Sequence, residues 1–172
     1  MATALSGSII ASAPITYDAG TGGTPGTITA VVAALFNFAF TNGTGANQMD
    51  LLYGPDVRTL GATTGEDLDL AGGVNNSFGT ALTFARVKLL CVLADSGNNG
   101  LIQVGGAAAT QFVNWVAHSS DIVNVRADGM LLLVARDATG YAVTGGTGDL
   151  LKIYNSGAAG ATYTILVGGC SA

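Results

Sequence analysis

The side chains in this sequence that could do chemistry are few, and the most distinctive ones lie close together. The stretch TQFVNWVAHSSDIVNV contains the only tryptophan, Trp115, and the only histidine, His118, followed by Ser-Ser-Asp. A serine, an imidazole and a carboxylate are the parts of a hydrolase triad, but a triad is defined by its arrangement in space, and these residues are sequence neighbours. We therefore interpret the stretch as a packing and connecting element, anchored by Trp115, Phe112 and Val116.

Carboxylates form the second candidate. Glu66, Asp67 and Asp69 lie within GEDLDLAGG, the densest group of acidic residues in the chain. Hard cations such as Ca²⁺ prefer oxygen ligands, so this cluster is the best candidate for a cation, although we favour an ordinary solvated loop. DSGNNG also resembles a calcium loop, but Gly97 and Gly106 stand where an EF-hand needs oxygen ligands.

Other familiar chemical patterns are incomplete. The glycine-rich segments lack a suitably placed lysine and helix for phosphate binding, and no local spacing singles out a pair of carboxylates for sugar hydrolysis. Two cysteines are too few for a zinc site. We expect Cys91 to be a buried free thiol and Cys170 to lie near a mobile end, and leave a bond between them open. We expect no catalytic residue, cofactor or metal, and hence no enzyme.

The composition is unusually poor in charge. Charged residues make up 10% of the 172 residues, against roughly 25% in ordinary soluble domains, and the mean hydropathy is +0.48. The net charge is −5, and the basic residues are scattered, which argues against nucleic-acid binding. A chain this apolar is expected to bury part of its surface in an assembly.

A membrane span and a secretory signal are both disfavoured. No charged residue lies between Asp18 and Asp50, but the apolar run ITAVVAALFNFAF (28–40) is shorter than the roughly 20 residues that a spanning helix needs. The first basic residue is Arg58, so a signal peptide's positive region is missing. We expect neither membrane insertion nor secretion.

The elements that must position these side chains are predicted to be strands. In residues 28–40 the large apolar residues fall on alternate positions, which favours a strand over the alternative, a helix. Residues 60–79 are predicted to be a loop, residues 80–94 a long strand that becomes buried on both faces, and Asp128-Gly129 the turn of a hairpin. Short strands closed by glycine follow in LIQVGG, GYAVTGG, DLLKIYNSG and ATYTILVGG.

This pattern predicts an all-β fold. Short strands separated by Gly, Asn and Asp turns are typical of an antiparallel β-sandwich, and we predict a jelly-roll-like one. Residues 1–26 are a candidate N-terminal arm, and residues 27–172 are predicted to form one sandwich domain.

Several pieces of the chain resemble a known class of protein. FGTALTFARVKLL, VGGAAATQF, VRADGMLLLVARDATGYAV, GDLLKIYNSG and YTILVGG are similar to pieces of small virion structural proteins of tailed bacteriophages. The resemblance covers about residues 66–169. It implies a β-sandwich that assembles on the virion and carries no active site.

We therefore expect a capsid decoration protein, made in the host cytoplasm and bound to the major capsid protein on the outside of the head. A homotrimer is favoured over a pentamer. The alternatives within the virion are a vertex, fibre-base, tail or spike protein. A glycan-binding module would need an exposed aromatic platform at Trp115 or Tyr141, and a glycan hydrolase would need two carboxylates or His118 in a cleft.

Overall fold

A computed structural model describes residues 5–19, 28–106 and 110–172, and in these residues the protein is built from strands without any helix. Among the residues that the structure describes, there is therefore no helix long and apolar enough to cross a membrane. The strands, in chain order, are β1 Gly7–Ala19, β2 Ile28–Phe40, β3 Leu51–Leu60, β4 Gly65–Asp69, β5 Ala71–Asn75, β6 Ala81–Thr83, β7 Arg86–Ala94, β8 Ile102–Gly105, β9 Ile122–Val125, β10 Met130–Val134, β11 Tyr141–Ala142, β12 Leu150–Asn155 and β13 Ala161–Cys170.

Two antiparallel sheets form the body of the protein. The first has the order β10-β7-β13-β3, with β11 also paired to β7, and the second has the order β4-β12-β8-β9. Strands β5 and β6 form a small hairpin, and β1 and β2 form a long one whose register runs from the Gly7–Phe40 pair to the Ala19–Ile28 pair. The predicted all-β, antiparallel, sandwich-like fold is confirmed, and the jelly-roll arrangement stays a prediction.

The main core lies between the five-stranded and four-stranded sheets. Side chains at alternate positions of each sheet point to this layer, as the period of two in an extended chain requires. Its fully buried members include Val92 and Ile165 from the first sheet and Val104 and Ile153 from the second. Removing these side chains from water is the main stabilising contribution to the fold.

The outer face of the five-stranded sheet carries a second, smaller core. Leu89 of β7 packs there with Phe40, at the end of β2, and with Met49. Leu90 and Val92, on the other face of the same strand, belong to the main core. The predicted burial on both faces of β7 therefore holds at Leu89 and Leu90, whereas Leu93, further along the outer face, is 42% exposed.

The region 60–79, predicted to be a loop, is instead mostly strand. It contains β4 and β5, with Leu68 and Val74 buried in the main core. The carboxylates of β4 and the glycines of β5 mask the alternation of apolar residues in the sequence. Leu70, between the two strands, is also fully buried.

The predicted long strand over residues 80–94 is two strands that belong to different sheets. Strand β6 pairs with β5, whereas β7 lies in the five-stranded sheet. Leu82 and Phe84 are buried, as the alternation predicted, but the backbone changes sheet immediately afterwards. A period-two pattern indicates which face of the strand a residue lies on, but it does not indicate which strand is the neighbour in the sheet.

Two turn predictions also need correction. From the sequence, Gly54-Pro55 is expected to end the strand in MDLLYGPDV, but β3 continues to Leu60 through an irregularity opposite β13, and proline is tolerated on this edge strand. The Asp128-Gly129 turn exists, but it joins β9 of one sheet to β10 of the other and makes no hairpin ladder. The positive φ of 60° falls on Asp128, not on the glycine.

Candidate functional site

A network of polar side chains links the two sheets at one edge of the sandwich. Arg58 lies at its centre and donates hydrogen bonds to Glu66 through Nε (2.9 Å) and Nη2, and to Asp56 Oδ2 through Nη1 (2.9 Å). Tyr53 donates its hydroxyl proton to Asp56 Oδ2 (2.6 Å), and Tyr163 donates its own to Glu66 Oε1 (2.8 Å). Both carboxylates thus have two partners each.

The backbone places these groups through strand alternation. Asp56, Arg58 and Leu60 take alternate positions on edge strand β3 and face inward, while Val57 and Thr59 face solvent. Glu66 comes from β4, the edge strand of the other sheet, and Tyr163 from β13. The network therefore crosses from sheet to sheet where the apolar core ends.

The pKa values in the network move away from neutrality. Burial and the hydrogen bond to Asp56 raise the pKa of Tyr53 to about 12, and burial, with the bond to Glu66, raises that of Tyr163 further. The hydrogen bond from Tyr53 lowers the pKa of Asp56, and the bonds from Arg58 and Tyr163 lower that of Glu66 against the opposing effect of burial. A general acid or base works best with a pKa near the working pH, so these directions favour a fixed link between the sheets.

A cleft of about 470 Å³ opens beside this network. Its lining includes Tyr53, Asp56, Arg58, Asp67 and Leu68. Its volume lies within the range of small-molecule sites, and its lining is polar. The guanidinium of Arg58 is already paired with Glu66 and Asp56. The cleft therefore offers a ligand mainly hydrogen-bond acceptors.

The acidic trio predicted as the best cation candidate does not act as one group. Successive residues of β4 point to opposite faces, so Glu66 turns toward Arg58 while Asp67 is exposed. Asp69 Oδ1 accepts a hydrogen bond from the Ala71 N–H (2.8 Å). No group of three or more histidine, cysteine or acidic side chains that could hold a metal ion is found in the described ranges. The solvated loop that we favoured is a strand.

The His118 segment forms a compact exposed turn. His118 Nδ1 lies 2.9 Å from Ser120 Oγ, and Asp121 Oδ2 accepts a hydrogen bond from the backbone N–H of His118 (2.7 Å). In a hydrolase triad the carboxylate would instead hold the imidazole ring. The contacts among these residues are those of a turn cap, in which side chains satisfy nearby backbone groups.

The aromatic residues of the proposed glycan platform pack inward. Trp115 and Tyr141 are partly buried against the main core, and the indole N–H of Trp115 donates to the Phe112 carbonyl (3.0 Å). Phe112 is itself buried in the core, so the packing role predicted for Trp115 and Phe112 is confirmed. Each ring is therefore only partly exposed.

The two cysteines are free thiols, which answers the question of a bond between them. Cys170, expected near a mobile end, is fully buried at the end of β13. Cys91 is only partly buried. Burial raises the pKa of both thiols, which keeps them protonated at neutral pH.

Several large apolar side chains stand in solvent on ordered backbone. The most exposed is Phe78 (86%), at the turn between β5 and β6. Asn76 Oδ1 accepts hydrogen bonds from the N–H groups of Phe78 (3.0 Å) and Thr80 (2.9 Å), which fixes the turn. These hydrogen bonds fix the backbone that exposes the Phe78 ring to solvent.

Three further exposed residues form a row across the five-stranded sheet. Val57 of β3 lies opposite Thr164 of β13, Thr164 lies opposite Leu93 of β7, and Leu93 lies opposite Met130 of β10. Residues directly opposite in a ladder point to the same face, so this row belongs to the outer face. Val57 is 68% exposed, Met130 56% and Leu93 42%.

Sequence reasoning missed the central member of the polar network. In the sequence Arg58 is one of several scattered basic residues, although Asp56, Arg58 and Leu60 follow a period of two that places them on one face. Its link to Glu66 and Tyr163 depends on which strands are neighbours, and no local pattern encodes that.

Comparisons with known proteins give no guide to this site. The chain matches no family model, no curated protein and no solved structure. The likeness to phage virion proteins therefore remains an expectation drawn from the sequence.

Proposed function

We propose that the protein is a structural subunit of a tailed-bacteriophage virion, a decoration protein that binds the major capsid protein on the outside of the head as a homo-oligomer. It would reach this place after synthesis in the host cytoplasm. The proposal rests on surface chemistry together with the sequence resemblance over residues 66–169.

One observation carries the proposal: ordered backbone holds large apolar side chains in solvent. Phe78, at 86% exposure, lies in a hydrogen-bonded turn, and Val57, Leu93 and Met130 lie in the ladders of the five-stranded sheet, so their exposure is built into the fold. Exposed apolar groups of this kind mark surfaces that meet another protein.

The charge distribution supports the same conclusion. With 10% charged residues, the chain has little electrostatic protection against association. Closed cyclic assembly covers apolar surface without open-ended growth. We propose a trimer because icosahedral heads offer three-fold and quasi-three-fold positions, and a pentamer at the vertices is the alternative.

A binding experiment with heads tests the proposal. Empty heads that lack the protein would be mixed with purified protein and sedimented, with heads that already carry it as the control for filled sites. We expect saturable binding to the bare heads alone, weakened by Phe78→Asp. Absence of binding to bare heads by the wild-type protein would overturn the proposal.

A further inference from the structure

The outer face of the five-stranded sheet changes from covered to open along its strands. At one end, Phe38, Phe40 and Leu5 from the N-terminal segment, with Met49, cover Leu89 and its neighbours Leu132, Val134 and Leu166. One step along the strands, Cys91 lies opposite Leu132 and is half-buried. The next step is the exposed row of Val57, Leu93 and Met130.

From Leu89 onward, this face is apolar along β7 and along β10, the edge strand beside it. The outward positions of β7 are Leu89, Cys91 and Leu93, and their partners on β10 are Val134, Leu132 and Met130. None of these six residues is charged. The open row is therefore continuous, in place and in chemistry, with the contact that the base of the β1–β2 hairpin already makes.

The backbone of the hairpin extends well beyond the base residues named above. Strands β1 and β2 hydrogen-bond to each other along 13 residues each and pair with no other strand that the structure describes. At about 3.3 Å per residue the ribbon is roughly 40 Å long. A two-stranded ribbon alone is marginally stable in water, and β2 contains no charged residue, so the ribbon needs an apolar partner.

We propose that the β1–β2 hairpin of one copy lies across the open row, Val57, Leu93 and Met130, of a second copy. This inference rests on the proposed homo-oligomer and names the surfaces that form it. The contact would extend the existing apolar interface at the hairpin base and would bury no charge from β2 or from the row. Passing each hairpin to the next copy around a ring closes the assembly.

Two variants separate the hairpin from the face it covers. In the first, residues 14–33 are replaced by Asn-Gly, which joins Ala13 to Ala34, its partner in the register, by a two-residue turn and keeps Phe38 and Phe40. In the second, Met130→Asp places a charge in the open row. Ile122→Asp is the matched control, an exposed aliphatic residue on the other sheet.

Native mass spectrometry and sedimentation velocity of these proteins test the inference. We expect the wild type and Ile122→Asp to be oligomeric and each of the other two variants to be monomeric. A mixture of the two monomers should form a one-to-one pair, because the first keeps an intact face and the second an intact hairpin. A simple loss of stability would not produce this pairing.

The inference is overturned if the wild type is a monomer, if either variant keeps the wild-type mass, or if the mixed variants fail to pair. Its failure is distinguishable from failure of the proposed function. Wild-type protein that binds bare heads while its oligomer survives both changes would keep the decoration role and reject this interface.

Discussion

At the scale of single residues, Arg58 is the side chain with most consequences. It neutralises Glu66 on one sheet and Asp56 on the other, at a place where neither carboxylate is fully exposed. Charged partners satisfied by several hydrogen bonds hold such a site together, whereas removal of one partner leaves the others desolvated.

Replacing Arg58 with methionine should destabilise the protein. Glu66 and Asp56 would lose their cation while staying partly buried, so we expect the free energy of unfolding to fall by about 1 to 3 kcal/mol. Urea denaturation measures this value. Arg126→Met, at an exposed arginine, is the control and should change it little; equal effects of the two changes would contradict the role assigned to Arg58.

The pKa shifts of the network predict how stability depends on pH. The folded-state pKa of Tyr53 is raised from 10.0 to about 12, so its contribution is complete below pH 10 and is lost as the pH rises toward about 12. Glu66 and Asp56 have lowered pKa values, so their contribution is present above their unfolded values and is lost as the pH falls through the folded ones. Unfolding measured from acid to alkaline pH should show both losses, and Tyr53→Phe should reduce the alkaline one. An unchanged alkaline loss in Tyr53→Phe would disprove the assignment.

His118 is predicted to be dispensable. Its ring contacts Ser120 in an exposed turn, and Asp121 holds only its backbone. His118→Ala should therefore leave assembly and phage infectivity nearly intact, as plaque counts would show. A well-folded mutant with a large loss of infectivity would show that this turn has a function of its own.

At the scale of elements, the turns determine which sheet each strand joins. The sequence predicted these strand partners least well. LIQVGG, DLLKIYNSG and ATYTILVGG were predicted correctly because their apolar residues alternate and a glycine follows each of them. Strand β4 was missed because three of its five residues are acidic. The partners of β6 and β9 were missed because neighbours in a sheet are set by long-range packing and not by local pattern.

The turn before β10 provides a test at this scale. A Cβ on Gly129 would lie 2.8 Å from the Arg126 carbonyl oxygen, whereas one on Gly160 would lie 3.5 Å from its nearest neighbour, the Leu60 carbonyl oxygen. Gly129→Ala should therefore cost about 1 kcal/mol or more, and Gly160→Ala should cost less. Thermal melting compares the two, and an equal or smaller cost at Gly129 would show that the turn relaxes freely.

At the scale of the whole molecule, the fold has more apolar surface than its own two cores use. The main core lies between the sheets, the second covers part of one outer face, and Phe78 and the open row remain in water. The low charge content of the sequence predicted this surplus of apolar surface. Its location could not be predicted, because it depends on which strand positions the N-terminal segment covers.

The measurement that tests the central claim most directly is an electron-microscopy reconstruction of the virion whose genome encodes this chain. The proposed function predicts density for the β-sandwich on the outer surface of the head, in symmetric groups of three over the major capsid protein. A reconstruction that accounts for every outer head protein without this fold, or that places it only in the tail, would contradict the claim.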